Sequence, residues 1–223
     1  MRGLRDHALS TIFGVLFLIA LAGQALTGFA VYNEQQVSDG LTEVTLLSYV
    51  TSSNFAVDVA ENWQSEYLQF ALYILLTVWF VQRGSTESKE PGNEGPGSDE
   101  DAQVGEFARP DSPAWARTGG LRRTLYSNSL VAVMLAVFVL SWLAQSIAGQ
   151  VSFNEEQLAS LEAPVTWAEY AVSPDFWSRT LQNWQSEFLA VGSMAVFSVY
   201  LRQRGSPESK PVGAPHEETG TES

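Results

Sequence analysis

The chain has 223 residues, a formal net charge of −13 and 45% hydrophobic residues, and it contains no cysteine. The lack of cysteine excludes disulfides, thiol catalysis and cysteine-ligated metal centres. The mean hydropathy of −0.02 is that of an ordinary soluble protein, but the apolar residues are gathered into four blocks and the acidic residues into the connections, so each block has to be considered separately.

The first and third apolar blocks are long enough to cross a membrane. Residues 9–31 and 124–153 contain no charged side chain, and a span needs about 20 helical residues. The alternatives are a core helix of a soluble protein and, for the first block, a signal peptide, although the block exceeds the usual apolar core of about 7 to 15 residues. We expect transmembrane helices over about residues 8–36 and 125–158.

The second and fourth blocks, residues 67–81 and 188–201, are shorter. Each reaches the length of a span only if the pentapeptide NWQSE that precedes it is included. We therefore expect two further transmembrane helices, over about residues 54–82 and 174–203.

Local signals indicate where the helices of the second half begin. Ser173, Pro174 and Asp175 combine an N-cap residue, a proline at the first helical position and an acid in the first turn. Upstream, Thr166 and Glu169 have the spacing of a capping box. They predict a short interfacial helix in the outer loop.

The two halves of the chain repeat each other. NWQSE occurs at residues 62–66 and again at 183–187, which is an offset of 121. At the same offset RGSTESK matches RGSPESK, and roughly 27 of the 86 positions in 4–89 are identical to those in 125–210. Each unit holds two crossings, so the repeats are expected to be parallel, related by a pseudo-two-fold axis along the membrane normal.

The repeated motifs carry a resemblance. With NWQSE, RGSxESK, the YNE or FNE after the first helix of each unit, and a tyrosine followed by S-x-x-F before the second, the chain resembles a family of uncharacterised bacterial integral-membrane proteins. The resemblance covers both repeats and implies a bacterial cytoplasmic-membrane protein of unknown function. It supplies no substrate, cofactor or catalytic residue.

The basic residues predict the orientation. Of the 12 lysines and arginines, all but Arg179 lie before the first block, between Arg83 and Arg123, or from Arg202 onward. Because positive residues near span ends stay in the cytoplasm, both termini and the central connection are expected inside. The predicted fold is an all-α membrane protein of four transmembrane helices in two parallel-repeat hairpins, with short interfacial helices in the outer loops.

The connections complete the predicted domain organisation. The first repeat covers 1–89 and the second 121–210. Residues 90–120, rich in Gly, Pro, Ser and acid, predict a disordered cytoplasmic linker, and residues 211–223 a disordered tail.

A polar cluster near the outer leaflet is the candidate functional site. Helix lengths place Gln24 and Glu66 at nearly the same depth, so we expect a hydrogen bond between them and its equivalent between Gln145 and Glu187. Intramembrane acids usually face other helices or water. We therefore expect the helix face that carries Asn62, Trp63 and Glu66 to point into the bundle. The cluster consists of Gln24, Asn62, Trp63, Glu66, Gln145, Asn183, Trp184 and Glu187.

Two functions fit such a cluster. In one, its polar groups join the helices of a structural or interaction protein; in the other, Glu66 and Glu187 form a proton- or cation-binding site near the pseudo-two-fold axis. No nucleophile with a base, metal cage or phosphate cradle is recognisable, so we expect no enzymatic activity, no catalytic residue, no metal and no cofactor. The expected partners are the lipid bilayer and a protein partner or second copy, with no nucleic acid.

Overall fold

The described part of the protein is helical throughout. A computed structural model describes residues 6–220, and within them it contains seven α-helices and no strand, which confirms the all-α expectation. The helices are α1 Ala8–Ser38, α2 Leu46–Val50, α3 Ser53–Trp79, α4 Leu121–Ser127, α5 Ser129–Ala159, α6 Trp167–Ala171 and α7 Pro174–Tyr200.

A break between two helices interrupts the start of the third apolar block, and the sequence did not predict it. A helix was expected from about residue 125, whereas α4 ends at Ser127 and α5 begins at Ser129. Between them, the Asn128 side-chain amide donates to the Thr124 carbonyl at 2.8 Å. This bond satisfies a carbonyl that helix termination would leave without a partner.

The helix bounds repeat with the sequence. Adding 121 to the bounds of α1 (8 and 38), α2 (46 and 50) and α3 (53 and 79) gives 129 and 159, 167 and 171, and 174 and 200. These are the bounds of α5, α6 and α7. Local structure therefore follows the offset of 121 without an insertion.

The chain divides into two compact units. The first comprises Met1–Ala60 and Leu143–Phe176, and the second Glu61–Trp142 and Trp177–Ser223. The helices α3, α5 and α7 each contribute residues to both units.

In the first unit, one asparagine closes the loop that follows each of the long helices α1 and α5. The Asn33 side chain accepts from the Val44 amide at 2.8 Å and donates to the Val44 carbonyl at 3.2 Å. Asn154 makes the same two bonds to Val165, at 2.8 and 2.9 Å. Each pair satisfies a backbone donor and acceptor of a segment that has no regular structure of its own.

Each short helix then brings a tyrosine against a glycine of the long helix before it. Tyr49 is 3% exposed and its hydroxyl lies over Gly28, while Tyr170 is 1% exposed and lies over Gly149. The tyrosine rings also contact Phe55 and Phe176, at centroid distances of 5.5 and 5.7 Å. The start of the next long helix is thereby packed against the loop.

The predicted helix starts are confirmed. Thr166 and Glu169 form a reciprocal capping box at the start of α6. Ser173 accepts from the Phe176 amide at 3.3 Å, with Pro174 as the first residue of α7. Ser52 makes the same bond to Phe55 before α3.

Two helices have the length and composition to cross a membrane. They are α1 and α5, each of 31 residues; none of the apolar window of α1 is buried within the protein. The other two long helices carry charged residues in their first halves, such as Glu61 and Arg179. Two candidate spans are therefore evident from length and composition, and the four-span arrangement remains a proposal.

The central connection and the tail make contacts of their own. Residues 80–120 form turns and one 3-10 helix, Gly105–Phe107. The Gly105 amide donates to the Ala116 carbonyl at 2.9 Å, and the Arg123 guanidinium pairs with Asp99 at 3.1 Å. Their disorder in solution, like that of residues 211–223, stays a prediction.

Replacing Gly28 or Gly149 with alanine should destabilise the protein by about 1–3 kcal/mol, because the added methyl group would overlap a tyrosine hydroxyl that is buried and cannot move away. Thermal unfolding of the detergent-solubilised protein measures this. Gly14→Ala is the matched control, since nothing lies within 4 Å of a methyl group there. Equal melting temperatures for all three variants would contradict the packing.

Candidate functional site

The two NWQSE pentapeptides lie in unlike surroundings. In the first, Gln64 and Ser65 are buried, whereas Asn62, Trp63 and Glu66 are exposed. In the second, the pattern is reversed. Its half-buried residues are Asn183, Trp184 and Glu187.

The buried face of α3 is therefore not the predicted one. Its buried residues recur at three- and four-residue spacing, which places them on one side of the helix. The predicted inward face, with Asn62, Trp63 and Glu66, is wrong for the first pentapeptide. The buried stripe consists of Val57, Ala60, Gln64, Leu68 and Ala71.

One hydrogen bond joins the two pentapeptides. The Trp184 indole donates through Nε1 to Oε1 of Gln64 at 2.8 Å, within the second unit. Gln64 is 0% exposed, and its Nε2 has no hydrogen-bond partner among the described residues. A buried donor of this kind calls for an acceptor such as a bound water.

Aromatic rings surround the donor of this bond, Trp184. The Trp184 ring lies 5.9 Å from Trp142 and 6.4 Å from Phe138, and Trp142 lies 6.0 Å from Trp177. Aromatic pairs at such centroid distances add packing energy beyond the area that they bury. The hydrogen bond thus sits in an apolar setting, where its loss is costly.

An ion pair lies beside the pentapeptides: Glu61 directly precedes the first, and Arg179 lies one turn before the second. Arg179 approaches Glu61 at 3.5 Å, with side chains 35% and 18% exposed. Arg179 is the one basic residue outside the three basic segments, and this partner accounts for its position. The pair was not predicted, although the unusual location of Arg179 was the available signal.

The two predicted glutamates influence each other. Glu66 and Glu187 both lie in the second unit, and Glu66 is close enough to repel the Glu187 carboxylate. Gln24 is half-buried and Gln145 fully buried, both in the first unit. The expected bonds from Gln24 to Glu66 and from Gln145 to Glu187 stay predictions.

The two RGSxESK motifs adopt one conformation. Gly84 and Gly205 have φ of +85° and +84°, a left-handed backbone that glycine favours. In both, the motif's last serine accepts from the glutamine amide before the motif at 2.8 Å, and the glutamate amide donates to the first serine. The repeated sequence here encodes a repeated turn.

The tail folds against these turns. The Lys210 ammonium is 2% exposed and donates to the carbonyls of Pro215, His216 and Glu218 at 3.0–3.2 Å. The Gly84 amide donates to the Thr219 hydroxyl at 2.8 Å. The first motif is therefore completed by residues 135 positions further along the chain.

A carboxyl pair links the two motifs. Burial, a hydrogen bond to Glu208 and the charge of Glu208 raise the pKa of Glu87 from 4.5 to about 7. A proton shared between two carboxyl groups produces such a shift. Within residues 6–220, no group of three or more His, Cys, Asp or Glu side chains could hold a metal ion.

Comparison with known families identifies the family of the chain. A family model described as "Domain of unknown function (DUF6766)" matches residues 1–221. The chain belongs to this family. No match was found among the curated proteins or the solved structures. Membership of the DUF6766 family thus agrees with the expected resemblance to an uncharacterised family and indicates no activity.

Trp184→Phe should lower the free energy of unfolding by about 1–3 kcal/mol, because it leaves the buried Gln64 oxygen without a donor. Adding Gln64→Met to this variant removes the unpaired group. The free energy of unfolding of the double variant should therefore fall by less than the sum of the decreases in the two single variants. Denaturation in detergent measures the three values. The matched control is Trp63→Phe, at the equivalent tryptophan, which is 42% exposed; additive effects of the first pair would contradict the bond.

The stability of the RGSxESK turns should fall as the pH rises. The pKa of Glu87 is raised from 4.5 to about 7. Its contribution to the free energy of unfolding is therefore fully present below about pH 4.5 and is lost as the pH rises through about 7. The melting temperature should therefore decrease between pH 5 and pH 8, and Glu87→Gln should flatten this decrease. Glu100→Gln, at an exposed carboxylate, is the control. An unchanged slope in Glu87→Gln would refute the assignment.

Proposed function

We propose that this DUF6766 protein is a four-span protein of the bacterial cytoplasmic membrane whose pentapeptide cluster joins its helices, and that it acts as a structural or interaction protein. At about 1.5 Å per residue, α1 and α5 are each about 46 Å long, against a hydrocarbon thickness of about 30 Å. Both termini and the central connection lie in the cytoplasm, in keeping with the basic residues there.

The helices α3 and α7 are the other two spans. Each has 27 residues, or about 40 Å, and ends in exposed apolar residues. Leu76 and Trp79 on α3 are 48% and 59% exposed, and Phe197 and Tyr200 on α7 are 55% and 62% exposed. Such surfaces require an apolar solvent, which lipid supplies.

In this proposal the two halves of the chain are copies of one unit that arose by internal duplication. Equal helix bounds at an offset of 121 and equal hydrogen bonds in the RGSxESK turns support it. Since each copy crosses the membrane twice, the copies are parallel.

The bond from Trp184 to Gln64 is the observation that carries the structural role. It connects the two copies of one pentapeptide inside an aromatic cluster. Interhelical hydrogen bonds of this kind hold membrane helices together, at about 0.6–2 kcal/mol each. The protein is not an enzyme in this proposal, and it uses no cofactor; its partners are the bilayer and a second protein or copy, without nucleic acid.

Proton or cation binding by Glu66 and Glu187 is the second candidate. The repulsion between the two carboxylates favours it, as does the buried Gln64 Nε2, which calls for a water molecule nearby. Two acids that share a hydrated site can exchange protons or attract a cation.

The paired variant Glu66→Gln and Glu187→Gln separates the two candidates. If the carboxylates join helices, thermal stability in detergent should fall at both neutral and acidic pH, and liposomes should show no proton or cation flux with either protein. If they form an ion site, stability should be unchanged or higher, and the native protein should carry a flux that the variant lacks. Glu43→Gln with Glu162→Gln, two exposed acids of the outer loops, is the matched control.

A further inference from the structure

The segment before α5 differs in charge from the rest of the chain. Residues 107–127 contain four arginines and one aspartate, a net charge of +3, although the whole chain carries −13. The preceding residues 90–106 contain six acids and no basic residue. Positive charge is thus concentrated immediately before the third apolar block.

The same segment exposes large apolar side chains. Trp115 is 49% exposed, and Leu121 and Leu125 are 74% and 51% exposed. The two leucines are four residues apart on α4 and therefore lie on one face of the helix. An apolar face beside arginines is the composition of a helix that lies in a membrane interface.

The chain places α4 at the membrane surface if α5 is a span. Only Asn128 separates the two helices. The exposed apolar surface continues across it into α5, where Leu130 and Val133 are each 57% exposed. The face on α4 is thus continuous with a surface assigned to lipid.

We propose that residues 107–127 bind anionic phospholipid, with Leu121, Leu125 and Trp115 at the acyl boundary and the arginines on the phosphates. The inference rests on the proposed span at α5. The exposed arginines are Arg109, Arg117 and Arg122, and one of them, Arg117, also donates to the Pro110 carbonyl at 3.3 Å. Arg123 is paired with Asp99 at 3.1 Å.

Charge selects anionic lipid over zwitterionic lipid. A guanidinium binds phosphate through two parallel hydrogen bonds, and each basic residue near an anionic surface increases binding about fivefold. Three exposed arginines therefore increase it up to about a hundredfold. Asp111 within the segment and Glu106 next to it reduce part of this gain in binding.

Site-directed spin labelling of the full chain tests the proposal. Because the protein has no native cysteine, one introduced cysteine carries the label. Thr124→Cys reports on the apolar face of α4, Glu100→Cys on the acidic connection and Val139→Cys on α5. Each is reconstituted in vesicles of phosphatidylcholine alone and in vesicles that also contain phosphatidylglycerol, and the accessibility of the label to oxygen and to a water-soluble nickel chelate is measured.

In the anionic vesicles the Thr124 label should be accessible to oxygen and protected from nickel, and in phosphatidylcholine it should be less protected. The triple variant Arg109→Gln, Arg117→Gln and Arg122→Gln should return it to the phosphatidylcholine value. The Glu100 label should remain accessible to nickel in every sample.

Three results would overturn the inference, and they are distinguishable. Nickel access at Thr124 equal to that at Glu100, with Val139 protected, refutes lipid binding but leaves the span intact. Nickel access at Val139 refutes the span itself and the proposed function with it. Broadening between Thr124 labels that disappears on dilution with unlabelled protein assigns the face to a second copy instead of lipid.

Discussion

The loops after α1 and α5 depend on the close approach of a tyrosine to a glycine. Tyr49 over Gly28 and Tyr170 over Gly149 fix each short helix against the long helix before it. The following phenylalanine, Phe55 or Phe176, packs on the same ring. The direction in which α3 and α7 leave these loops therefore depends on the missing side chain of one glycine in each half of the chain.

Identical pentapeptides serve different purposes in the two repeats. The first contributes a buried acceptor through Gln64 and the second an aromatic donor through Trp184, so one motif supplies both partners of a single bond. The ion pair between Arg179 and Glu61 is a second difference between the halves, since the positions offset by 121 hold Asp58 and Gln182.

The sequence predicts features whose causes are local. Apolar blocks predicted the long helices, and the spacing of Thr166 and Glu169 predicted the capping box. The buried face of α3 was not predicted, because the prediction rested on the pentapeptide alone. The longer stripe through Val57, Gln64 and Leu68 has the three- and four-residue spacing that identifies this face. Contacts of the tail, such as Lys210 with three carbonyls, could not be predicted, because no local pattern specifies which distant segment a turn will bind.

The bond from the Gly84 amide to Thr219 joins residues 135 positions apart, and this separation orders the assembly of the protein in time. At about 5–20 residues per second, a ribosome takes roughly 7 to 27 seconds to add the intervening chain. During that interval the helices α4 to α7 are synthesised, while the first RGSxESK turn lacks its partner. The turn is therefore completed only after α7 has been synthesised, and its bond joins the beginning of the central connection to the tail.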